Sequence, residues 1–336
     1  MTCTTVSSIL LSAAFLTADP NPFHAPKVTS LTNESVKYTV GKEHFYVLRR
    51  NGVKAVIVDN SAVDVSDAPG HRAGYNGVAS LSHSKRADNL FVPNYAGMNF
   101  EHIHDGTLAV NAEKFEPRKS PMELRVINEH TVELYQAPTP NWKLESCGRY
   151  ELLDHGVIQY TFECIPREDI FQNGFIGLFW ASYIHEPEDK SISFLGHEAG
   201  GKAKARWIKG VTPSHGVEST HPPSGELPKL KIDPEFPLTL VNHRSRHVYD
   251  EAWYYGVSHG MAYIAMFRQR DRIWFAQSPT GGGATNPAWD FQWFIPNYKV
   301  GQAYGFVMRL AYVPFENREQ IERATLLHRR QMTNDN

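Results

Sequence analysis

The sequence predicts an all-β fold, a large two-sheet antiparallel β-sandwich (supersandwich) with a C-terminal helix. From residue 36 to about 313 it runs in short alternating stretches broken by Gly, Pro, Asn and Asp, and helical periodicity is almost absent there. Ten or more strands follow one another, which is enough for two packed sheets, and no linker or low-complexity boundary divides them. We therefore expect a single domain over residues 30–332.

The first predicted element is a hairpin in the segment HFYVLRRNGVKAVIVD. Its Asn51-Gly52 pair supplies the two positive-φ residues of a type I′ turn between runs rich in Val, Ile, Tyr and Phe. The later predicted strands lie in the segments MELRVINEHTVELYQ, VIQYTFECI, FIGLFWASYI, SISFLG, KARWIKGV, PLTLV, MAYIAMF, RIWFAQS and YGFVMRLAYVPF.

A second hairpin is predicted in CGRYELLDHGVIQYTFEC, with a three-residue loop at 154–156. This register pairs Tyr150 with Tyr160, and it places Cys147 and Cys164 on opposite faces because successive strand side chains alternate. A two-residue turn would instead pair the cysteines but spoil the polarity match. We therefore expect free thiols.

The chain is predicted to end in a helix over ENREQIERATLLHRRQ. Asn317 can cap it with Gln320 three residues on, Glu leads and Arg trails. We expect this helix to close a sheet edge or end. Its predicted shared face comprises Ile321, Ala324, Leu327 and His328.

The composition excludes several classes of protein. The chain has 34 Lys and Arg against 36 Asp and Glu, with no long run of either sign, so we expect no nucleic-acid partner and no polybasic membrane patch. No run approaches the ~20 apolar residues of a membrane span. Three cysteines without a CxxC spacing exclude a disulfide framework and a Cys-rich zinc module. A neutral or modestly charged small ligand fits this balance better.

Residues 1–20 allow two interpretations. The apolar stretch from Ile9 to Leu16 precedes a small-residue site, as in a signal peptide, but the segment has no Lys or Arg. A cleaved signal would make the protein periplasmic or secreted. An ordinary N-terminal extension laid on the domain would make it cytoplasmic.

Aromatic and charged residues concentrate between residues 244 and 293. Aromatic faces beside charged groups are typical of a sugar site, since rings cover the C–H face and polar groups take the hydroxyls. Trp253 and Tyr254 are the predicted platform. Trp289 and Trp293 share a strand face with Phe291 that is more typical of a core, which leaves Trp253 the better ligand platform.

Charged residues just before the platform are predicted to bind substrate. Arg244 and Arg246 would bind a uronate carboxylate or sulfate bidentately, with Asp250 beside them. The alternative is a solvated loop whose charges pair with each other.

Acid–base chemistry is assigned to four candidate catalytic residues. A carboxylate and a His on opposite sides of a sugar ring suffice for proton transfer, and Glu198 with His215 or His259 would supply them from loops. The alternative for each loop His is a turn residue bonded to the backbone. The full catalytic set is His104, Glu198, His215 and His259.

His102 and His104 are two residues apart in NFEHIHDG. On a strand both project from one face, where His102 would bind substrate beside His104. The same pair could ligate a divalent metal, although no further ligand stands at the usual spacing. No cofactor is otherwise predicted.

The strand series, the segment YAGMNFEHI, the loop histidines and the closing AWDFQWFIPNYKVGQAYGFVMRLAYVPF resemble the galactose-mutarotase-like β-supersandwich superfamily. That superfamily includes aldose epimerases, polysaccharide lyases and domains of glycoside hydrolases. The resemblance covers roughly residues 36 to 315 and implies the fold and a carbohydrate ligand. The epimerase motif N-H-x-Y-F-N-L is absent, since residues 242–247 match only its first two positions, so no active site is transferred.

Three functions follow from these patterns. We favour a carbohydrate-active enzyme of the epimerase, lyase or hydrolase type that uses His and carboxylate chemistry on a sugar or oligosaccharide. The alternatives are a noncatalytic carbohydrate-binding protein and a His-ligated metal-dependent enzyme. The sugar, the linkage, the reaction type and the oligomeric state remain open.

Overall fold

The computed structural model describes residues 23–108, 113–201, 203–236 and 243–334. Within these residues the strands form three antiparallel sheets of ten, five and three strands, which confirms the all-β prediction. The predicted signal segment at 1–20 and the predicted strand PLTLV at 237–241 lie outside the described residues.

The strands in chain order are β1 Thr39–Val40, β2 Phe45–Arg50, β3 Val53–Val58, β4 Gly77–His83, β5 Asn99–His104, β6 Met122–Asn128, β7 Thr131–Gln136, β8 Leu144–Leu152, β9 Val157–Pro166, β10 Phe175–Ala181, β11 Ile192–Glu198, β12 Arg206–Gly210, β13 Thr220–His221, β14 His247–Ser258, β15 Met261–Phe267, β16 Trp274–Ser278, β17 Ala288–Pro296 and β18 Tyr304–Pro314. The helices are α1 Glu116–Lys119 and α2 Arg318–Asn334. The ten-stranded sheet has the order β1-β6-β7-β8-β9-β18-β15-β14-β11-β12, the five-stranded sheet β13-β16-β17-β10-β5, and the small sheet β2-β3-β4.

Both predicted hairpins form with the expected register. Asn51 and Gly52 have φ values of 49° and 82°, as a type I′ turn requires. In the second hairpin Tyr150 pairs with Tyr160, while Ser146 stands opposite Cys164, so the two cysteine side chains point to opposite faces. Cys147 and Cys164 are buried free thiols, as predicted.

The main core lies between the ten-stranded and five-stranded sheets. Trp180 of β10 stacks on Phe291 of β17 at 5.1 Å, and Phe306 of β18 meets Trp180 edge-on at the same centroid distance. Trp289 and Trp293 are completely buried in this core, as their alternation with Phe291 predicted. Because every second β17 side chain enters the core, those between them point the other way.

Helix α2 confirms the predicted cap but corrects the predicted buried face. Asn317 Oδ1 accepts the backbone N–H of Gln320 at 2.9 Å. Ala324 and Leu327 are exposed, and Leu327 retains 58% of its accessible surface. The buried residues are Ile321, Thr325, His328 and Met332.

The phase of α2 is set by what it packs on. Ile321 joins an apolar cluster with Trp253, Ile264 and Ala311 on the face of the ten-stranded sheet that is turned away from the core. The helix therefore covers a sheet face, and the expectation that it closes an edge was wrong. No helix among the described residues is long and apolar enough to cross a bilayer.

Candidate functional site

The face of the five-stranded sheet that is turned away from the core carries an unusual number of buried polar side chains. We call it the outer face. On β17, Asp290 and Gln292 point to it because Trp289, Phe291 and Trp293 point to the core. The polar residues of the outer face are Asn99, Glu101, His102, His104, Thr220, Asp290 and Gln292, and each is buried.

A β-bulge on β5 concentrates polar groups at one edge of this face. His102 pairs with Phe179, whereas Phe100 pairs with the next residue, Trp180, so Glu101 is the extra residue of the bulge. A bulge bends a strand and re-aims the side chain at that point. Here it places Glu101 on the outer face beside His102, with the two side chains 3.2 Å apart between Oε1 and Nε2.

Glu101 is held as an ionised carboxylate. Its Oε2 accepts hydrogen bonds from Tyr183 Oη at 2.5 Å and from Asn99 Nδ2 at 2.7 Å. Burial works to raise the pKa of the Glu101 carboxyl, but the contacts from His102 and Tyr183 prevail, and the pKa lies below its ordinary value. The positive charge of Arg118 acts in the same direction.

Asp290 has the opposite character. It is buried, and burial raises the pKa of its carboxyl well above the ordinary value, with the negative charge of Glu101 adding to the shift. A hydrogen bond of 2.9 Å from the Ser182 backbone N–H to Oδ1 opposes this but does not offset it. The outer face therefore combines a carboxyl whose pKa is raised with one whose pKa is lowered, an arrangement suited to acid–base chemistry.

His104 lies deeper on the same face. Only 1% of the residue is exposed, and its ring is surrounded by Phe175, Phe236 and Phe294 at centroid distances of 6.2, 5.1 and 6.2 Å. Burial lowers the pKa of His104 to about 3, so the imidazole is neutral. Neither ring nitrogen has a hydrogen-bond partner among the described residues, although buried polar atoms almost always have one.

His102 shares this lack of well-directed hydrogen bonds. Its ring packs between Phe115 at 4.5 Å and Phe179 at 5.0 Å, and neither nitrogen makes a hydrogen bond of good geometry within the described part of the chain. The expectation that His102 and His104 project from one strand face is confirmed. His102 Nε2 contacts Glu101 Oε1 at 3.2 Å, whereas both nitrogens of His104 are buried without a partner among the described residues.

Three tyrosines form the accessible edge of the outer face next to Glu101. Tyr95 lies 4.6 Å from Tyr75 and 4.9 Å from Tyr183 between ring centroids, and all three are only partly buried. The guanidinium of Arg118 lies over the Tyr75 ring at 3.9 Å. Arg118 covers one face of Tyr75 and the three rings pack on one another, so the cluster offers a ligand only the partly exposed remainder of its aromatic surface. We call it the tyrosine cluster.

The predicted platform at Trp253 and Tyr254 is corrected by the structure. Tyr254 is completely buried between the sheets, where its hydroxyl donates to the Trp289 carbonyl at 3.3 Å. Trp253 lies on the far side of the ten-stranded sheet, where Arg329 of α2 covers its ring at 4.5 Å. Neither ring leaves a face open to a ligand. The prediction failed because a sequence rich in aromatic residues does not show which of them the fold covers.

Two of the predicted catalytic residues, His259 and Glu198, lie away from the outer face, whereas His215 reaches its border through Ser278, which alternation on β16 places on that face. His259 has φ of +50° in the β14–β15 turn, and both its backbone N–H and its ring Nδ1 contact the Glu188 carboxylate. It is therefore a turn residue, which was the alternative to a catalytic role. Glu198 is exposed at the end of β11. His215 is exposed and contacts Thr280 and Ser278. Among the described residues no hydrogen bond, ion pair or ring contact joins Glu198, His215, His259 and His104 to one another.

The predicted substrate-binding residues Arg244, Arg246 and Asp250 do not form one cluster either, because each has a different partner. Arg246 lies 3.7 Å from Glu218, with both side chains exposed, and Asp250 Oδ2 lies 2.8 Å from His197 Nδ1. Both partners lie outside the segment 242–251, and Asp250 belongs to β14, so these charges do not pair with each other as the solvated-loop alternative had it. Arg244 is different, because its guanidinium lies over Trp274 of β16 at 4.7 Å, at the border of the outer face. The described residues contain no group of three or more His, Cys, Asp or Glu side chains arranged to hold a metal ion.

Sequence reasoning overlooked Glu101, Tyr183 and Asp290. The signal for Asp290 was present, because the alternation in AWDFQWF assigns it to the face opposite the tryptophans. Glu101 stands between Phe100 and His102, and strict alternation would have turned it away from His102. Only the bulge brings both side chains to one face.

Comparison with known proteins gives a likeness of architecture. No family model matches the chain, and no curated protein matches its sequence. A putative aldose 1-epimerase from Escherichia coli K12 aligns with a TM-score of 0.46 at 9% identity, over 83% of this chain and 100% of that one. A galactose mutarotase related enzyme from Lactobacillus acidophilus aligns with a TM-score of 0.47 at 11% identity, over 80% and 97%.

A larger solved structure aligns in a similar way. The α-N-acetylgalactosaminidase from Bifidobacterium bifidum gives a TM-score of 0.46 at 11% identity, over 85% of this chain and 39% of that one. The resemblance to galactose mutarotase-like proteins is thus one of architecture, and it is weak.

Proposed function

We propose that this protein is an enzyme that acts on a saccharide at the outer face, with Asp290 as proton donor and Glu101 as proton acceptor. The observation that supports this is the presence on one sheet face of two buried carboxyl groups whose pKa values are shifted in opposite directions. Glu101 receives two side-chain hydrogen bonds, whereas Asp290 receives one from the backbone. Carboxyl groups whose surroundings push their pKa values apart are the usual acid and base of such sites.

The ligand class follows from what surrounds the two carboxyl groups. The tyrosine cluster offers partly exposed rings, and aromatic faces pack against the C–H face of a sugar. Beside it lie the buried imidazoles of His102, which contacts Glu101, and of His104, which has no hydrogen-bond partner among the described residues, and the Gln292 amide donates to Thr220 Oγ1 at 3.2 Å. These groups match the alternating apolar and hydroxyl-bearing surfaces of a saccharide.

The simplest reaction for this pair is interconversion of the two anomers of an aldose. Glu101 takes the proton of the C1 hydroxyl while Asp290 gives a proton to the ring oxygen, and the C1–ring oxygen bond breaks to leave an open-chain aldehyde. Rotation about the C1–C2 bond and the reverse proton transfers close the ring with the other configuration. The step is balanced in protons and needs no cofactor.

A noncatalytic carbohydrate-binding protein is the second candidate. The observation that favours it is His104, whose pKa of about 3 leaves it neutral across the physiological range. A neutral imidazole binds hydroxyl groups without transferring protons near pH 7.

The test is to follow anomer interconversion of a panel of aldoses by NMR exchange and polarimetry, while assaying the same proteins for glycoside cleavage. We expect wild-type protein to accelerate interconversion, and Glu101→Gln and Asp290→Asn each to slow it by about 100-fold or more. Glu129→Gln, a change in an exposed turn, is the matched control and keeps full activity. Saccharide binding without turnover supports the second candidate, and absence of both contradicts the proposal.

A further inference from the structure

We infer that the saccharide carries an anionic group, a carboxylate, sulfate or phosphate, which is bound by cationic side chains at the border of the outer face. This inference rests on the proposed function, because it names the chemistry of the ligand at the same site. The cationic residues are Lys114, Arg118 and Arg244.

Arg118 is fixed next to the ionised carboxylate. Its guanidinium lies over Tyr75 at 3.9 Å, and its Nε donates to the Gly74 carbonyl at 2.9 Å. A guanidinium stacked on an aromatic ring keeps its in-plane N–H groups free, because they point outward past the edge of that ring. A planar or tetrahedral anion can bind them there. Glu101 feels its charge, but no described carboxylate forms an ion pair with Arg118.

Arg244 has the same arrangement at the opposite border. Its guanidinium lies over Trp274 at 4.7 Å, and a β-bridge to Thr220 places its backbone beside β13. No acidic side chain in the described residues pairs with it. The two arginines therefore flank the outer face from its β5 and β16 sides.

Other stacked arginines in this protein are neutralised. Arg125 lies over Tyr135 and binds Glu123 at 2.7 Å, while Arg329 lies over Trp253 and binds Glu251 at 2.9 Å. Arg318 lies over Trp207 and lies 3.1 Å from Glu319. Among the stacked arginines of the described chain, only the two at the outer face have no carboxylate partner. An anionic group of the ligand would supply the counter-ion that they lack.

Lys114 adds a third positive charge on the same side as His104. The Lys114 carbonyl accepts the backbone N–H of Ile103 at 2.9 Å, and its side-chain charge contributes to lowering the pKa of His104. Lys114 forms no ion pair with a described carboxylate.

The acidic residues near this face are already engaged. Asp105 accepts hydrogen bonds from Thr107 at 2.6 and 3.0 Å, and Asp233 accepts the Leu108 backbone N–H at 2.7 Å. The sequence segments 109–112 and 237–242 contain no Asp or Glu. These donors are neutral and leave both carboxylates charged, so the positive charge available to an anion is the local charge of Lys114, Arg118 and Arg244, which form no ion pair with a described carboxylate.

Calorimetric titration of the full chain tests this inference. The ligands are glucose and galactose, their uronic acids, their 6-sulfates and their 6-phosphates, each at low and high ionic strength. We expect at least one charged sugar to bind about tenfold or more tightly than its neutral parent, with a difference that shrinks in high salt. Comparison among the acids, sulfates and phosphates identifies the anion.

Variants separate this inference from the proposed function. Because the two arginines lie at opposite borders of the face, one anionic group contacts only one of them, and either Arg118→Gln or Arg244→Gln is expected to weaken binding of the charged sugar by about tenfold. Arg244→Gln should leave the neutral parent unchanged, whereas Arg118→Gln, at a residue that stacks on Tyr75 and acts on Glu101, is scored by the ratio of charged to neutral affinity. Arg318→Gln, also an arginine stacked on a tryptophan, is the matched control and changes neither. Equal affinity for neutral and charged sugars overturns the inference and leaves the proposed function standing. Failure of every sugar to bind contradicts both.

Discussion

The Tyr183 hydroxyl donates a 2.5 Å hydrogen bond to Oε2 of Glu101. The same tyrosine packs against Tyr95, with 4.9 Å between ring centroids, so one side chain belongs both to the aromatic surface and to the environment of the ionised carboxylate. A ligand that displaces the Tyr183 ring therefore also changes the hydrogen bonding of Glu101. Under the proposed function, this contact would couple saccharide binding to the protonation of Glu101.

The change Tyr183→Phe is expected to lower the free energy of unfolding by about 2 kcal/mol at pH 7, because a buried carboxylate loses a donor. The pKa of Glu101 is lowered in the folded state, so its contribution is present above the unfolded-state pKa and is lost as pH falls through the folded-state value. The variant raises the folded-state pKa of Glu101. Its deficit should therefore shrink in acid, as measured by urea unfolding across pH.

Tyr95→Phe is the control for this experiment, since its ring belongs to the same cluster and its hydroxyl makes no hydrogen bond with the described residues. It should change stability by less than about 0.5 kcal/mol. An equal loss in both variants, independent of pH, would show that the Tyr183 hydroxyl does not stabilise the ionised carboxylate.

The change Asp290→Asn is expected to stabilise the fold at neutral pH while abolishing proton donation. The pKa of Asp290 is raised on folding, so above the unfolded-state pKa its ionisation favours the unfolded chain. Asparagine removes that penalty and can still accept the Ser182 N–H. We expect a gain of about 1 kcal/mol or more at pH 7 that vanishes near about pH 3. A variant less stable than wild type at pH 7 would contradict a raised pKa of Asp290.

The change His104→Phe is expected to raise the free energy of unfolding by about 1 kcal/mol, because it removes two buried nitrogens that lack partners. The new ring would lie among Phe175, Phe236 and Phe294. Saccharide affinity should fall at the same time. Thermal unfolding and ligand titration of one preparation give both values, and a stable variant with full affinity would remove His104 from the site.

The backbone of Gly177 supports the His104 ring. A Cβ at residue 177 would lie 2.4 Å from His104 Cε1, so Gly177→Ala should cost about 2 kcal/mol. In a His104→Ala background the obstruction is gone, and the cost should fall to below half. Additive losses in the double-mutant cycle would show that the two residues do not contact each other.

The corrected face of α2 gives a test of the fold. Ile321→Ala should reduce the free energy of unfolding by about 3 kcal/mol, since the side chain is fully buried against the ten-stranded sheet. Leu327→Ala, on the exposed face, should change it by less than about 0.5 kcal/mol. Chemical denaturation of the two variants side by side shows which face of the helix is buried. A larger loss of stability in Leu327→Ala than in Ile321→Ala would mean that the face predicted from sequence is the buried one.

Local sequence patterns were sufficient for most strands and for the two hairpin turns, although the predicted series lacks β4 and β14. The Asn51-Gly52 turn and the pairing of Tyr150 with Tyr160 depend on residues a few positions apart, whose backbone preferences and alternation are visible in the chain itself. The placement of Cys147 and Cys164 on opposite faces followed from the same register.

The site was predicted less well because its residues meet only through strand pairing. The shared direction of His102 and His104 was visible in the sequence, whereas the side-by-side placement of Glu101 and His102 depends on a bulge in the pairing of β5 with β10. Trp253 and Tyr254 have the residue types of a platform, but the fold buries both. Residue type alone does not show what a neighbouring element will cover.

The sequence by itself determined an all-β chain with a capped C-terminal helix, because backbone propensity and side-chain alternation act over short stretches. Tertiary structure alone decided which sheet face carries the proposed site, and it brought Glu101 of β5 and Asp290 of β17 onto one face through β10. It also decided their ionisation, because burial and hydrogen bonds from distant residues set the pKa of each carboxyl.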